Sequence, residues 1–568
     1  MLAMLIPVQT GDRSLPVWRV IGILSYPTAL SAPSGVRRVS AVNPPCDQTA
    51  LIAALLQPER YPHPVTTVEH LQTHISHVLL AGDYAYKIKK PLNLGFLDFT
   101  SLERRKYYCE EELRLNGRLA PEIYLDCLPI GGEPADPVLG GAAGPVIEYA
   151  VRMRRFPQDA LLNRVLAANR LESAHLDALA RRLAEFHRTI AIADPAAPFG
   201  EPERVLQPML DDFTHTRPLL TEPADLEILA EVERWTLAAS KRLRPQLVER
   251  KAGGWIRECH GDLHLGNMVL AEGGYIAIFD GIEFNDNLRW IDVMNDLAFL
   301  TMDLRFRGAE ALAQRLLNTY LEYSGDFAGV VLLSYYQVYR AMVRAKVNAI
   351  QSSQDDIPEP DRAAARALCR DYLRLALALT QEPPPFLLIT HGVSGSGKSR
   401  RTGQLLERFP GAIRIRSDVE RKRLFGLEPL ADSRSAMGSG LYTPDASART
   451  YERLLHLADQ VLAAGHPVLV DATFMKRVHR QPFRELAARR AVPFILLDCI
   501  AADAETLRTR VAARRARGDD AAEADVAVLE RQLRYDEPPA ADENPLKTAG
   551  DGDVERLQAA IGAALAAY

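Results

Sequence analysis

The spacing of apolar and polar positions divides the chain into blocks of different period. Residues 1 to about 46 mix Pro, Ser and Gly with short apolar pieces and sustain no period, so an irregular extension is expected there. From Thr73 the period becomes two: Ile75 to Leu80 and Tyr84 to Ile88 read as strands joined at Ala81-Gly82-Asp83. A charged helix is expected from Ser101 to Leu119, then strands at Pro121 to Ile130 and Val146 to Met153 around the turn Gly131 to Pro145. Asp159 to about Lys251 is helical, as are residues 308 to 380 apart from the polar break Gln351 to Pro360. Past the stiff spacer Pro383-Pro384-Pro385, buried strands at Phe386 to Thr390, Ala412 to Asp418, Pro467 to Thr473 and Pro493 to Cys499 alternate with helices. That alternation predicts a parallel sheet with its ligand at the strand carboxyl ends.

The firmest chemical signal is Gly392-Val393-Ser394-Gly395-Ser396-Gly397-Lys398-Ser399, which satisfies G-x-x-x-x-G-K-[ST] between a strand and the helix Arg400 to Phe409. Gly392, Gly395 and Gly397 let the backbone curl so that N–H groups around Ser394 and Ser396 face phosphate oxygens, above a helix N-terminus. Lys398 is expected at the β and γ phosphates of ATP, and the Ser399 hydroxyl on Mg2+. A flexible linker would need neither the Lys-Ser pair nor the flanking strand and helix.

Composition narrows the setting. A chain of 568 residues exceeds one ordinary core. With 47% hydrophobic and 25% charged residues it is of the soluble globular class, and a net charge of −5 gives no global basic footprint for duplex nucleic acid or a membrane. Six scattered cysteines without a C-x-x-C pair argue against a disulfide framework or zinc ribbon and for reduced thiols in the cytoplasm. No apolar run reaches membrane-span length, and Met1 to Leu24 lacks the basic start of a signal peptide.

A second constellation lies in Cys259-His260-Gly261-Asp262-Leu263-His264-Leu265-Gly266-Asn267, followed by a hairpin that ends at Asp280. Asp262 is placed to accept the proton of an attacking hydroxyl, with Asn267 and Asp280 as Mg2+ ligands. The motif H-G-D-L-x-x-x-N with a later Asp resembles the catalytic loop of the aminoglycoside phosphotransferase and choline kinase families, which share the protein-kinase-like fold. The resemblance implies that Lys87 holds the α and β phosphates with Glu112 as its helix partner, and that Tyr149 to Met153 forms the hinge against adenine. Lys89 shares a strand face with Lys87, and Glu110 lies close to Glu112, so both pairings stay open. No G-x-G-x-x-G flap precedes Lys87. His260 and His264 would share a helix face as metal ligands, but a third ligand is missing, and His260 reads better as a loop-ordering residue. Asp292 and Asp296 are expected to order the loop or cap the next helix.

In the last third, Asp418 and Asp471 end two strands on the phosphate-loop side. The pattern resembles small P-loop kinases of the polynucleotide-kinase-like and zeta-toxin-like group. That resemblance makes Asp418 the base toward the acceptor hydroxyl, Arg421 its neighbour on the acceptor, and Asp471 the acid that positions Mg2+. Arg510, Arg514 and Arg517 share one face of the helix Ala504 to Gly518. In such kinases a lid helix of this kind closes over the transferring phosphate, with Arg510 and Arg514 reaching it; a solvated basic face is the alternative.

The expected architecture is an α+β protein-kinase-like bilobal domain at 47–355, a helix and Pro-rich linker at 356–385, and an α/β P-loop domain at 386–568. The expected function is ATP-dependent phosphoryl transfer to hydroxyl groups of small molecules by both, with coupling between the domains. Two rivals remain: a P-loop half that only senses nucleotide, and a nucleic-acid end-processing kinase whose Arg414 to Arg423 cluster tracks a single strand.

Overall fold

Alternation along Tyr84–Lys89 sends Tyr86 and Ile88 into one layer and Lys87 and Lys89 into the opposite one, and all four are buried. The computed structural model describes residues 4–6, 19–21 and 48–566, apart from 94–96, 142–143, 382–383, 434–442, 501–502, 518–519 and 550–553. Pro383 of the spacer, Gly518 at the end of the expected lid helix, and all of the N-terminal extension except two strands lie outside the described residues.

By internal packing the chain forms two units, one of residues 1–175, 190–303 and 335–378, the other of 176–189, 304–334 and 379–568. The division differs from the expected break at the linker: two helical segments that precede the proline spacer pack with the P-loop region.

The first unit contains a sheet of strands β1 (Met4–Ile6), β2 (Arg19–Ile21), β3 (Val68–Gln72), β4 (Ser76–Ala81), β5 (Tyr84–Lys89), β6 (Tyr124–Glu133), β7 (Asp136–Leu139) and β8 (Val146–Arg154), in the order β1-β2-β3-β4-β5-β8-β6-β7. The extension expected to be irregular thus supplies two short edge strands, and β7 forms inside the expected turn by pairing Leu139 with Ile130. One sheet face packs Leu79, Tyr86, Ile88 and Ile130 with Leu51 and Leu55. The other lies under helix α1 (Leu102–Asn116), where Cys109 meets Tyr124 and Val151. The Ser101 hydroxyl accepts the Arg104 N–H and starts that helix. Its buried face carries Arg105, Cys109, Glu112 and Asn116 at helical spacing, while Glu110 is exposed and pairs with Lys106.

The rest of this unit is mainly helical, with β9 (Ile256–Glu258) paired to β12 (Trp290–Asp292), and the hairpin β10 (Met268–Leu270) and β11 (Ile276–Ile278). The hairpin brings Asn267 beside Phe279, whose N–H donates to the Asn267 carbonyl at 2.9 Å.

In the second unit β13 (Leu387–His391), β14 (Ile413–Arg416), β15 (Val468–Asp471), β16 (Phe494–Ile500) and β17 (Leu546–Ala549) form a parallel sheet in the order β14-β15-β13-β16-β17. The phosphate-loop strand β13 is central, and β14 is an edge. Helix α2 (Ser173–Thr189) from Leu176 onward and helix α3 (Glu310–Ser324) belong to this unit, joined by an Asp177–Arg315 ion pair at 2.6 Å and by His187 against the Tyr320 hydroxyl at 2.9 Å. Helix α3 covers the edge. The Asn318 carboxamide accepts the Arg414 N–H at 2.7 Å and donates to the Ala412 carbonyl at 3.1 Å, as a neighbouring strand would.

Asn318→Ala removes both bonds and leaves a buried edge unsatisfied, at an expected cost of about 1–3 kcal/mol. Faster amide exchange along 412–416 and a lower denaturant midpoint for this unit would be the result; unchanged exchange would mean that α3 does not support the edge.

Candidate active sites

In the first unit β5 and α1 meet through charge. The Lys87 ammonium donates to Glu112 Oε1 at 2.7 Å and to Asp280 Oδ1 at 2.8 Å. Lys89 donates to Glu112 Oε2 at 2.7 Å and to Glu283 Oε1 at 2.5 Å. Both lysines therefore grip Glu112, and Glu110 plays no part. Burial alone would raise the Glu112 carboxyl, but the two ammonium groups outweigh it and hold its pKa at about 2. Burial opposes the charge on Lys87 as well, and Asp280, Glu112 and Glu283 carry its pKa above the ordinary value.

The segment bearing Asp280 is fixed at two backbone positions. The Asp280 N–H donates to the Tyr124 hydroxyl at 3.1 Å, and the Gly281 N–H to Asn116 Oδ1 at 2.7 Å. One helix thus sets both the lysine partner and the segment that carries Asp280. In the loop before the hairpin, Asn267 Nδ2 donates to Asp262 Oδ2 at 2.9 Å, so the expected base and the expected metal ligand are in contact. Asp296 accepts the N–H groups of His260 and Gly261 at 3.1 and 2.9 Å. Arg340 donates to the Gly261 carbonyl at 3.0 Å. Gly261 is needed as glycine: its φ is +84°, and a Cβ there would lie 2.6 Å from the Leu288 carbonyl oxygen. His260 contacts the Phe279 carbonyl oxygen at 3.0 Å, and burial lowers its pKa. The stretch is loop rather than helix, so the four-residue spacing of His260 and His264 places no common face toward a metal. Asp292 pairs with Arg250 at 2.6 Å and accepts the Met294 N–H at the start of the next helix, leaving the loop to Asp296.

The expected hinge needs correction. Ala150 to Met153 pair on both sides within β8, Val151 standing opposite Lys87 in one ladder and Cys127 in the other. Those ladders occupy the backbone groups that a base would need along Ala150 to Met153.

In the second unit the loop runs from β13 into α4 (Lys398–Leu406). Gly392 has φ +139°, and a Cβ there would meet Ser396 Oγ at 2.7 Å. Gly395 and Gly397 also take positive φ, Gly397 leading into the helix. The Ser394 N–H is held by Gln532 Oε1 at 2.7 Å. The Lys398 ammonium donates to the Val393 carbonyl within its own loop at 2.8 Å, and burial lowers its pKa against the opposing pull of Asp471. Ser399 occupies the first helical turn. Asp471 is buried at the end of β15, opposite Arg416 in the ladder, and its Oδ2 lies 3.8 Å from Arg416 Nε.

Three buried polar atoms here, Ser396 Oγ, Asp471 Oδ2 and Arg514 Nε, make no hydrogen bond among the described residues. That donor and acceptor set suits a polyphosphate with a divalent ion. On helix α6 (Ala504–Arg517), Arg510 approaches the Gly395 carbonyl at 3.5 Å, and both Arg510 and Arg514 are half-buried while Arg517 is exposed. Asp418 lies half-buried in the first turn of α5 (Ser417–Leu424), and Arg421 reaches the Ser447 hydroxyl at 3.3 Å. A cavity of about 410 Å3 borders Ser399, Arg400, Arg416 and Glu322, and neither Asp418 nor Arg421 lines it.

The basic run that could have tracked a nucleic-acid strand is largely spent internally. Arg414 pairs with Glu322 at 2.6 Å, Arg416 with Asp520 at 2.7 Å, and Lys422 with Glu523 at 2.8 Å.

Comparison with known proteins agrees with this division of chemistry. Residues 109–332 match the model of the phosphotransferase enzyme family, and residues 387–539 that of an AAA domain family. The uncharacterized protein Rv2004c of Mycobacterium tuberculosis is 32% identical over 478 residues, covering 84% of this chain and 92% of its own; Mb2027c of Mycobacterium bovis matches to the same extent. The chain belongs to their family. It is a kinase-type phosphotransferase, with a protein-kinase-like region ahead of an α/β P-loop region. A choline/ethanolamine kinase family protein from Mesorhizobium loti, 16% identical, covers 59% of this chain and 97% of its own with a TM-score of 0.34. Kinases of these families use ATP, typically with a divalent metal ion. Among the described residues of this phosphotransferase no helix is long and apolar enough to cross a membrane, and the five described cysteines are free.

Sequence reasoning missed Glu283, Asn116 and Arg340. Asn116 was within reach, one helical turn past Glu112 on the same face. Glu283 and Arg340 lie far from Lys89 and Gly261 along the chain, and no local pattern marks them.

Glu112 yields a signed pH prediction. Its carboxyl is depressed in the folded state, so its stabilisation is complete above about pH 4.5, the ordinary glutamate value, and is lost as pH falls toward 2. Glu112→Gln should cost about 3–5 kcal/mol at pH 7, because two buried ammonium groups lose a partner. In urea titrations the gap between parent and variant should narrow from pH 4.5 downward; a constant gap would contradict the assignment.

Proposed function

We propose that each unit transfers the γ-phosphoryl group of ATP to a hydroxyl group of a small molecule, with Mg2+ as the divalent ion. In the first unit Lys87 binds the α and β phosphates, Asp262 takes the acceptor's proton, and Asn267 and Asp280 hold the ion. In the second unit the loop from Gly392 to Ser399 cradles the phosphates, and Ser399 and Asp471 hold the ion. There Asp418 receives the proton, Arg421 orients the acceptor, and Arg510 and Arg514 cover the moving group. When bound, Mg2+ neutralises phosphate charge and polarises the γ-phosphorus. The acceptor oxygen then forms its bond to that phosphorus as the β–γ bridge breaks in line, and ADP departs.

One observation carries the reading: Lys87 is held at once by Glu112 and Asp280, and the Asp262–Asn267 pair lies at the base of the hairpin that delivers Asp280. The orphaned polar atoms around the phosphate loop support the second unit in the same way. Internal pairing of Arg414, Arg416 and Lys422 favours a small acceptor over a nucleic-acid strand, and the shared chain gives a route for coupling between the units.

Phosphate transfer from ATP into a mixed metabolite pool, read by mass spectrometry, tests this. Asp262→Asn should suppress one set of products by roughly 10²–10⁴-fold and Lys398→Ala should suppress another. Undiminished transfer in the double variant would refute the assignment of both sites.

A further inference from the structure

The proposed chemistry uses one lysine on β5, yet the strand delivers two. Lys89 is completely buried, lies 5.0 Å from the centre of the Phe99 ring, and is clasped by Glu112 and Glu283. Traced from group to group, the contacts close on themselves. Glu283 binds Lys89, Lys89 binds Glu112, Glu112 binds Lys87, and Lys87 binds Asp280. The backbone from Asp280 to Glu283 completes the ring.

Exposure grades across this ring. The Lys89, Glu112 and Glu283 side chains are 0, 0 and 2% exposed, whereas Lys87 is 7% and Asp280 12% exposed. A ligand therefore meets the Lys87–Asp280 side, and the Lys89–Glu283 side is its dry backing. Because Glu112 uses one oxygen for each lysine, it cannot turn away from Lys87 without abandoning Lys89. Glu283 in turn ties the segment carrying Asp280 to the same lysine. Three carboxyl groups thus face two ammonium groups around the ring.

We propose that Lys89 and Glu283 are positioning residues of the first unit's nucleotide site, holding Glu112, Lys87 and Asp280 in their working arrangement before nucleotide arrives. This rests on the reading of Lys87 and Asp280 given above. A site preassembled in this way spends no binding energy on bringing its groups together, so the effect appears in affinity as well as in rate.

The test uses the full chain carrying Lys398→Ala, so that nucleotide binding reports the first unit. Lys87→Met, Lys89→Met, Lys89→Arg, Glu283→Gln and the double variant Lys89→Met/Glu283→Gln are compared by Kd for a fluorescent ATP analogue with Mg2+, thermal melting, and amide exchange in 102–116. Lys89→Met is expected to lower the melting temperature and weaken binding at least tenfold, because it strands buried carboxylates. The double variant removes both charges, so its melting temperature should return toward the parent while binding stays at least fivefold weaker and exchange in 102–116 stays faster. Lys89→Arg should bind more tightly than Lys89→Met. Parent-like affinity in the stable double variant would overturn the proposal, leaving Lys89 and Glu283 as structural only. If Lys87→Met itself binds like the parent, the reading of the site fails instead.

Discussion

One buried carboxylate between two ammonium groups organises the first unit. Charges removed from water must find their partners in the fold, or the cost of burying them goes uncompensated. Glu112 can satisfy Lys87 and Lys89 only if α1 lies at a set rotation over β5, and that rotation also presents Asn116 to the Gly281 N–H. The hairpin that ends at Asp280 is thereby fixed relative to the lysines, and Asn267 is fixed relative to the hairpin. Each position is a consequence of satisfying the last.

The second unit reaches a related arrangement by different means. Its lysine sits at a helix N-terminus, inside a loop whose glycines take left-handed backbone values, and the opposing acid ends the neighbouring strand. Here the informative atoms are Ser396 Oγ, Asp471 Oδ2 and Arg514 Nε, which make no hydrogen bond among the described residues, because a native interior rarely leaves buried polar atoms without one. Helix α3 adds a structural condition. It precedes the proline spacer, yet Asn318 and Glu322 complete the edge strand from which the chain runs directly to Asp418. Parts of the chain that match the phosphotransferase family model therefore fold with the P-loop sheet.

Local motifs were legible wherever function depends on a few consecutive residues. The loop Gly392 to Ser399 and the run from His260 to Asn267 could be singled out as candidate sites by spacing alone, since backbone curvature is set within eight or so residues. The strand and helix pattern around them was legible for the same reason, as period two and period 3.6 are properties of neighbouring positions. Less legible was the hinge, because which strand becomes central depends on pairing between segments far apart: Val151 faces both Lys87 and Cys127.

By itself, then, the chain determined two phosphate-handling modules, their order, the candidate bases and the face on which Lys87 and Lys89 both lie. Tertiary structure alone decided that both lysines share Glu112, that Glu283 closes the ring, that Arg414, Arg416 and Lys422 are paired with acids, and that α3 belongs with the P-loop sheet. The physical reason is range. Backbone periodicity and loop curvature are written in adjacent residues, whereas the pairing of a buried charge is settled by whichever partner the packed fold brings within 3 Å, however distant in sequence.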